Sequence, residues 1–234
     1  MKQTVFPWIR DFFSLFYPDY CIACGARTVS SERFLCSSCE LHLPRTGDAF
    51  VSPNPTERLF WGRLPVTAAA AYFQFRKGGG VQLLVHQLKY KDRPDIGRHF
   101  GRIFGEELKQ NPIFSTVDAL VPIPLHPKRL RQRGYNQSRE IAEGIAASLQ
   151  KPVRPDILIR RTATQTQTKR SSFQRWENVS SVFSVADSAR LEGLHLLLVD
   201  DVITTGSTME AAASALLEVP GVRVGLAALA VDVF

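Results

Sequence analysis

Long apolar runs are missing from this chain of 234 residues. No stretch approaches the roughly 18 consecutive uncharged apolar residues that suggest a membrane-spanning helix. The apolar N-terminal stretch is interrupted by Arg10 and Asp11, which also argues against a secretory signal. We therefore expect a cytoplasmic protein without a membrane span.

The chain also lacks the motif G-x-x-x-x-G-K-[ST], which argues against a P-loop ATPase, and it shows no internal repeat. Its charges are unbalanced, with 29 Lys and Arg against 22 Asp and Glu and a formal net charge of +7. Such an excess suits a polyanionic partner, either a small phosphorylated ligand or a nucleic acid backbone.

Cysteine is scarce, and its few occurrences lie within the first forty residues. Cys21 and Cys24 form one C-x2-C pair, and Cys36 and Cys39 form a second. The doubled spacing predicts a structural Zn²⁺ site, because four thiolates in a tetrahedral array suit this ion. The alternatives are two disulfides, which would suit an exported chain, or a redox-active pair. A zinc site closed by four cysteines would stabilise the fold and would not carry catalysis.

Apolar residues make up 44% of the chain, enough for one α/β domain of ordinary size and a small appended module. Residues 44–65 contain four prolines and few apolar clusters, which predicts a linker with limited structure. We expect an N-terminal helix and four-cysteine zinc module over residues 1–43, the linker over 44–65 and the main domain over 66–234.

The main domain alternates between strand-like and helix-like segments. Apolar runs predict strands at 67–75, 118–121, 196–199 and 222–231. Helical spacing of apolar residues predicts helices at 81–90, 94–109, 138–149 and 209–217. This alternation is typical of the α/β class, with a parallel sheet connected by crossover helices.

The most informative segment covers residues 196–208, LLLVDDVITTGST in one-letter code. An apolar strand leads into Asp200 and Asp201, and a turn of hydroxyl residues and glycine follows before the next helix. N–H groups at a helix start lack intrahelical partners and bind phosphate well. The two carboxylates can accept hydrogen bonds from the hydroxyls of a sugar attached to that phosphate. The residues expected to hold the phosphate are Thr204, Thr205, Gly206, Ser207 and Thr208.

Two basic segments frame these residues. The first follows the strand at 118–121, so its charge is expected at the carboxyl edge of the sheet, where open α/β folds bind ligands. Its cationic residues are Lys128, Arg129, Arg131 and Arg133. We expect this loop to meet a diphosphate, with a solvated basic loop as the alternative. The second segment, 160–183, is long and polar, which is typical of a lid or a disordered segment.

Residues 196–208 resemble the phosphoribosyl pyrophosphate (PRPP) signature of type I phosphoribosyltransferases, an apolar strand followed by D-D-x-x-x-T-G-x-T. Strands that end in two aspartates also occur in P-loop ATPases and receiver domains. The missing P-loop argues against the first class, and the late position of the acid pair argues against the second.

Further motifs extend the resemblance over nearly the whole chain. They are the two cysteine pairs, His86-Gln87-Leu88-Lys89-Tyr90, Pro122-Ile123-Pro124, Arg133-Gly134-Tyr135-Asn136-Gln137 and scattered residues between 161 and 179. In this order they resemble the ComF/GntX family of competence-associated proteins. Members of that family join a four-cysteine zinc module to a type I phosphoribosyltransferase domain.

The resemblance implies that the chain binds PRPP with Mg²⁺ and transfers ribose 5-phosphate with release of diphosphate. It implies a catalytic, ribose-binding role for Asp200 and Asp201, and a link to DNA uptake or utilisation. Single-stranded DNA or a DNA-uptake helicase are the implied macromolecular partners. The alternative is a non-catalytic PRPP-sensing or nucleic-acid-associated accessory protein, since the sequence carries no identifiable signature for an acceptor base.

Overall fold

The structure, a computed structural model, describes residues 19–29, 32–160 and 182–232. Its strands are β1 (Ala69–Gln74), β2 (Ala119–Pro122), β3 (Leu158–Arg160), β4 (Phe183–Val185), β5 (His195–Ile203) and β6 (Arg223–Val231). Its helices are α1 (Ser37–His42), α2 (Pro55–Arg58), α3 (Gly80–Tyr90), α4 (Pro94–Leu108), α5 (Pro112–Ser115), α6 (Pro127–Arg133), α7 (Gln137–Leu149) and α8 (Ser207–Leu217). Single 3-10 turns occupy Asp48–Phe50 and Ser188–Arg190.

The main sheet has four parallel strands in the order β1-β6-β5-β2. Both central strands are apolar and buried along most of their length, as expected for strands covered by helices on two faces. The predicted α/β class with crossover helices is confirmed. β5 is longer than the sequence predicts, because its backbone continues to pair with β6 as far as Ile203 and Val231.

Helices cover the sheet from both sides. Along β5, Leu197 and Val199 join the core that contains α3, α4 and α7, whereas Leu196 and Leu198 join the core that contains α8. α7 follows β2 and α8 follows β5, so the chain leaves two neighbouring strands towards opposite faces. Such a divergence opens a crevice at the carboxyl edge of the sheet.

Small residues allow α4 and α7 to pack closely. Gly97, Gly101 and Gly105 are spaced four residues apart on α4, and Gly144 faces them from α7. A Cβ atom at Gly101 or Gly144 would collide with the backbone of the opposite helix. This contact fixes the position of α7, whose first turn reaches the carboxyl edge of the sheet.

The cysteine module packs directly on the main domain. Its buried residues Phe34, Leu35 and Leu43 share one apolar core with α3 and α4. A Cβ atom added to Gly80, the first residue of α3, would lie 2.9 Å from the Cβ of Ala23 between the first two cysteines. The module therefore supports the start of α3.

Residues 44–65 contain more structure than their proline content predicts. A capping box formed by Asn54 and Glu57 starts α2, and Asn54 also donates to the carbonyl oxygen of Ala69 in β1 at 2.9 Å. The carboxylate of Asp48 accepts the N–H of Ala71 in β1 at 3.1 Å. The expectation of limited structure is therefore wrong, because buried hydrogen bonds tie the segment to the sheet. The boundaries at residues 43 and 65 stay predictions.

The predicted loop 160–183 begins and ends in secondary structure. Its first residue, Arg160, pairs with its last, Phe183, in the antiparallel pair of β3 and β4. The prediction of a lid falls on residues 161–181, outside the described residues, and the predicted N-terminal helix also falls outside them. Among the described residues, no helix is long and apolar enough to cross a membrane.

Candidate functional site

The turn between β5 and α8 is built around Gly206. This residue caps α8 with a φ of 77°, a left-handed conformation that favours glycine. It is buried, and an added Cβ would lie 3.0 Å from the ring of Phe60. The exposed hydroxyl residues around it are Thr204, Thr205, Ser207 and Thr208. We call residues 204–208 the phosphate cup, because their hydroxyls and the first N–H groups of α8 form a set of donors.

Arg63 holds the phosphate cup from outside the signature. Its guanidinium donates to the carbonyl oxygen of Thr205 at 3.2 Å and to that of Leu59 at 3.0 Å. The same group forms an ion pair with Glu210 in the first turn of α8. The segment predicted as a linker therefore contributes a contact to the cup.

The two acids contact different helices. Asp200 accepts the hydroxyl of Ser138, in the first turn of α7, at 2.9 Å. Asp201 forms an ion pair with Lys89 of α3, whose Nζ lies 2.8 Å from its carboxylate. α3 and α7 pack on the same face of the sheet, so the contacts of both acids lie on that side at the carboxyl edge. Both carboxylates line one cavity there.

The surroundings of the two carboxylates differ in charge. Burial and the neighbouring charge of Asp201 raise the pKa of Asp200 to about 7. The N–H of Asp201 and the hydroxyl of Ser138 donate to Asp200 and favour its ionised form, but they do not outweigh the burial. Asp200 therefore titrates near neutral pH, whereas Lys89 directly compensates the charge of Asp201.

A cavity of about 420 Å³ opens at this edge, between the loops that follow β2 and β5. Thr204 and Thr208 of the phosphate cup line it together with both aspartates and Ser138. The cationic side chains in the lining are Lys89, Arg129, Arg133 and Arg160. Acceptors for sugar hydroxyls, donors for a phosphate and cations for further anionic groups thus meet in one space.

The basic segment after β2 is a helix and not the predicted loop. His126 caps α6, and Gly134, with a φ of 79°, ends it. A helix turns its residues to several sides, so Arg129 lines the cavity while Lys128 and Arg131 are exposed outside its lining. The diphosphate role of these residues stays a prediction.

One wall of the cavity comes from α3, whose side chains had no assigned role in the sequence analysis. The contributing residues are Gln82, Val85, His86, Lys89 and Tyr90. Their spacing of three, four, seven and eight residues from Gln82 is that of one helix face. This spacing can be read from the sequence, but the neighbouring residues do not show which part of the protein the helix face contacts. The roles of Arg63 and Ser138 likewise depend on residues that are distant in the sequence.

The four cysteines form a cluster as predicted. Their sulfur atoms all lie within 4.8 Å of one another, and those of Cys24 and Cys36 are 3.7 Å apart. A Zn²⁺ ion bonded to four sulfurs at about 2.3 Å places them about 3.8 Å apart, so the cluster fits this ion. All four are free thiols and not disulfides. Burial opposes ionisation of Cys21, but surrounding N–H groups outweigh it and lower its pKa to about 7.

Comparison with known proteins identifies the family to which the chain belongs. Residues 136–232, which include α7, the acid pair and the phosphate cup, match the phosphoribosyl transferase domain family. The chain is 30% identical over 205 residues to the DNA utilization protein YhgH of Escherichia coli O157:H7, over 84% of this chain and 83% of that protein. It is 31% identical over 133 residues to competence protein F of Haemophilus influenzae, over 55% and 58% of the two chains. The chain belongs to the ComF family.

The structure was also compared with solved structures, and the matches have low scores. Glutamine PRPP amidotransferase from Bacillus subtilis gives a TM-score of 0.42 at 21% identity, over 60% of this chain and 30% of that chain. Purine phosphoribosyltransferase from Pyrococcus horikoshii gives 0.34 at 14% identity, over 57% and 71% of the two chains. At these low scores the family assignment rests on the sequence relatives.

Proposed function

We propose that the protein binds PRPP at the carboxyl edge of the main sheet and transfers its ribose 5-phosphate to an acceptor, with release of diphosphate. The main support is that Thr204 and Thr208 of the phosphate cup, the acid pair and three arginines line one cavity. Membership of the ComF family and the match to a phosphoribosyl transferase domain support it independently.

Different side chains contact different parts of PRPP in this proposal. The phosphate cup binds the 5-phosphate through hydroxyls and the first N–H groups of α8, at the positive end of the helix dipole. Asp200 and Asp201 accept hydrogen bonds from the ribose hydroxyls. Arg129, Arg133 and Arg160 lie in the remaining lining and interact with the diphosphate.

The transfer breaks the bond between C1 of the ribose and a diphosphate oxygen, and the electron pair leaves with the diphosphate. A bond forms from C1 to the nucleophilic atom of the acceptor, which loses a proton. Positive charge develops on the ribose, so the protein has to place the reactants, stabilise the leaving group and exclude water. No protein nucleophile is required.

Mg²⁺ accompanies PRPP in this proposal, and the available ligands suit it. Mg²⁺ usually binds one or two carboxylates together with phosphate oxygens and water. Asp200 and Asp201 offer two carboxylates in the cavity. In the described part of the chain, the four cysteines are the one group of three or more potential metal ligands, so the ion would depend on oxygens of PRPP. It would neutralise charge on the diphosphate.

A structural Zn²⁺ ion is the proposed occupant of the cysteine cluster. Its four sulfurs leave no open coordination position, so the ion would stabilise the module that packs against α3 and would not take part in transfer. Free thiols suit a reducing compartment, and a cytoplasmic location is part of the proposal.

A link to DNA uptake or utilisation is proposed from the names of the relatives, DNA utilization protein and competence protein. The net charge of +7 supports single-stranded DNA as a partner, or a DNA-uptake helicase that carries it. Binding to single strands should be weak and should fall as salt rises, since counterion release drives it. Salt-insensitive binding, or none at low ionic strength, would count against this part.

In the accessory alternative PRPP binds in the same cavity without turnover. Lys89 already pairs with Asp201, so in both functions a ribose hydroxyl has to share or displace this partner. An assay of diphosphate release from PRPP with Mg²⁺, against a panel of bases and amines, separates the two. The enzyme proposal predicts release with at least one acceptor and none from an Asp200→Asn/Asp201→Asn variant. Asp156→Asn, an exposed acid paired with Arg154, is the control. Binding without release under any acceptor would favour the accessory role.

A further inference from the structure

We infer that Gln137 is a positioning residue of the cavity, and that it acts through Arg133 on the diphosphate of PRPP. Gln137 is the first residue of α7, and its side chain is fully buried. The inference rests on the proposed function, because Arg133 is one of the three arginines in the cavity lining that contact the diphosphate in that proposal.

The side chain of Gln137 bonds to two groups of the segment that precedes α7. Its Oε1 accepts an N–H of Arg133 from Nη1 at 2.8 Å. Its Nε2 donates to the carbonyl oxygen of Tyr135 at 3.2 Å. The second bond fixes which end of the amide is the acceptor, so the oxygen faces the guanidinium. The buried amide thus has a partner at each end, and one of these partners is a cation that reaches the cavity.

The backbone around Gln137 is held in place from two sides. The side chain of Asn136 accepts the N–H of Ser138 at 3.1 Å and so caps α7. The amide of Asn136 also donates to the carbonyl oxygen of Ile123, directly after β2, at 2.9 Å. The glycine contact with α4 fixes the rest of the helix. Gln137 therefore presents its oxygen to Arg133 from a rigid element, which precise positioning of a binding group requires.

The described partners of Arg133 are neutral. Besides the amide of Gln137, the ring of Tyr90 lies against the guanidinium, whose central carbon is 5.2 Å from the ring centroid. Within residues 19–29, 32–160 and 182–232, no carboxylate forms an ion pair with Arg133. Neutral partners restrict the orientation of a guanidinium without cancelling its charge. Arg133 therefore keeps its positive charge for an anionic ligand.

Arg160, a second arginine of the lining, is supported in a comparable way. Its guanidinium carbon lies 5.4 Å from the centroid of the Phe183 ring. Burial, and after it the charge of Arg129, lower the pKa of Arg160. These two cations thus lie close enough to act on each other, and a diphosphate placed between them would be stabilised by both. A neutral support for Arg133 agrees with a site that concentrates positive charge.

The test uses calorimetry on the full chain with Mg²⁺, with PRPP and ribose 5-phosphate as separate probes. Ribose 5-phosphate lacks the diphosphate, so its affinity does not depend on Arg133. Gln137→Glu keeps an acceptor for Arg133 but adds a negative charge that cancels the cation. We expect it to bind PRPP about 10-fold more weakly and to change the affinity for ribose 5-phosphate less than about 2-fold. Gln132→Glu adds the same charge at an exposed position of α6 outside the cavity lining, and it should alter neither affinity.

A second variant keeps the inference testable if Gln137→Glu does not fold. Gln137→Met is neutral and similar in volume, and it removes the hydrogen bond to Arg133. It should weaken PRPP binding about 5-fold in the wild type. In an Arg133→Met background the same change should weaken it less than about 2-fold, because no guanidinium remains to be positioned.

Three results would overturn the inference. The first is an unchanged affinity for PRPP in Gln137→Glu, or an equal loss for PRPP and ribose 5-phosphate, which would indicate a structural role. The second is a loss in Gln132→Glu as large as that in Gln137→Glu. The third is the same effect of Gln137→Met with and without Arg133. Each of these leaves the proposed function intact, whereas a wild type that does not bind PRPP fails the proposed function and the inference together.

Discussion

The cysteine cluster and the cavity at the carboxyl edge are built from very different stretches of chain. The cluster draws its four sulfurs from 19 consecutive residues, 21–39, and C-x2-C spacing alone brings them together. The cavity draws its lining from residues between Phe75 and Thr208, on helices and strands from both faces of the sheet. A site made of local spacing is visible in a sequence, whereas a site made by packing is visible only in part.

The two regions should also differ in what they contribute, the cysteine cluster to stability and the cavity to ligand binding. The cluster has apolar neighbours and packs into the main core, so its loss should unfold or loosen the protein. The side chains of the cavity with a proposed role are polar or charged, so replacing them should change binding and leave the fold in place. The variants below test whether the two regions divide in this way.

The largest effect is expected from the cysteine cluster. Cys21→Ser/Cys24→Ser removes two proposed zinc ligands, and binding energy of a structural zinc is folding energy. We expect the melting temperature to fall by about 10 °C or more and the zinc content to fall from one ion per chain. Ser38→Ala, an exposed residue between the other two ligands, is the control. An unchanged melting temperature together with an absence of zinc in the wild type would refute the structural role.

Features built from neighbouring residues can be predicted from the sequence, whereas features built from distant residues cannot. Neighbouring residues form the alternating strands and helices, the phosphate cup and the acid pair, so each could be proposed from the sequence. Arg63 could not, because it reaches Thr205 across 142 positions of sequence. Ser138 and Asp200 are 62 positions apart, and their contact depends on the close packing of α4 against α7. The structure of residues 44–65 could not be predicted, because their composition does not show that Asp48 and Asn54 form buried hydrogen bonds with β1.

Close helix packing gives the next largest effect. Gly101→Ala places a Cβ against the backbone of Ile141, and this overpacking should cost about 1–3 kcal/mol in the free energy of unfolding. The gain in helix propensity, about 1 kcal/mol, opposes it and does not offset the clash. Chemical denaturation measures the loss. Gly225→Ala, whose Cβ would meet its neighbours at 3.4 Å, should change stability little. Equal stability of the two variants would contradict the packing argument.

Arg63→Met tests whether a contact distant in sequence positions the phosphate cup. The variant loses the hydrogen bond to Thr205 and the ion pair to Glu210, both partly exposed. PRPP affinity should fall roughly 5- to 20-fold, with the melting temperature almost unchanged. Arg58→Met removes a neighbouring arginine that stacks on Trp61 and serves as control. Unaltered PRPP affinity in Arg63→Met would show that the cup needs no such support.

The last effect appears only when the pH is changed, and it concerns the charge of Asp200. Its pKa is raised in the folded protein to about 7, so folding favours the protonated carboxyl. That contribution is complete below the unfolded pKa of about 4 and is lost as the pH rises through about 7. Asp200→Asn stays neutral, so its melting temperature should gain on the wild type by about 5–10 °C between pH 5 and pH 8, where the wild type loses roughly 2–3 kcal/mol of unfolding free energy.

Asp156→Asn provides the comparison for this pH series. Hydrogen bonds from Arg154 lower the pKa of Asp156, so replacing it should give no such gain as the pH rises. A constant difference between Asp200→Asn and wild type across the series would mean that Asp200 is ionised throughout. The acid pair would then resemble two ordinary surface carboxylates.

The central claim is that a phosphorylated pentose lies between the phosphate cup and the acid pair. Calorimetric titration of the wild type with Mg²⁺ and PRPP, beside the Asp200→Asn/Asp201→Asn variant, tests it most directly. The account predicts saturable one-to-one binding to the wild type and an affinity at least about 100-fold lower in the variant, since two hydrogen-bonded charged groups are lost. No binding heat with the wild type, or equal affinity for the two proteins, would contradict it.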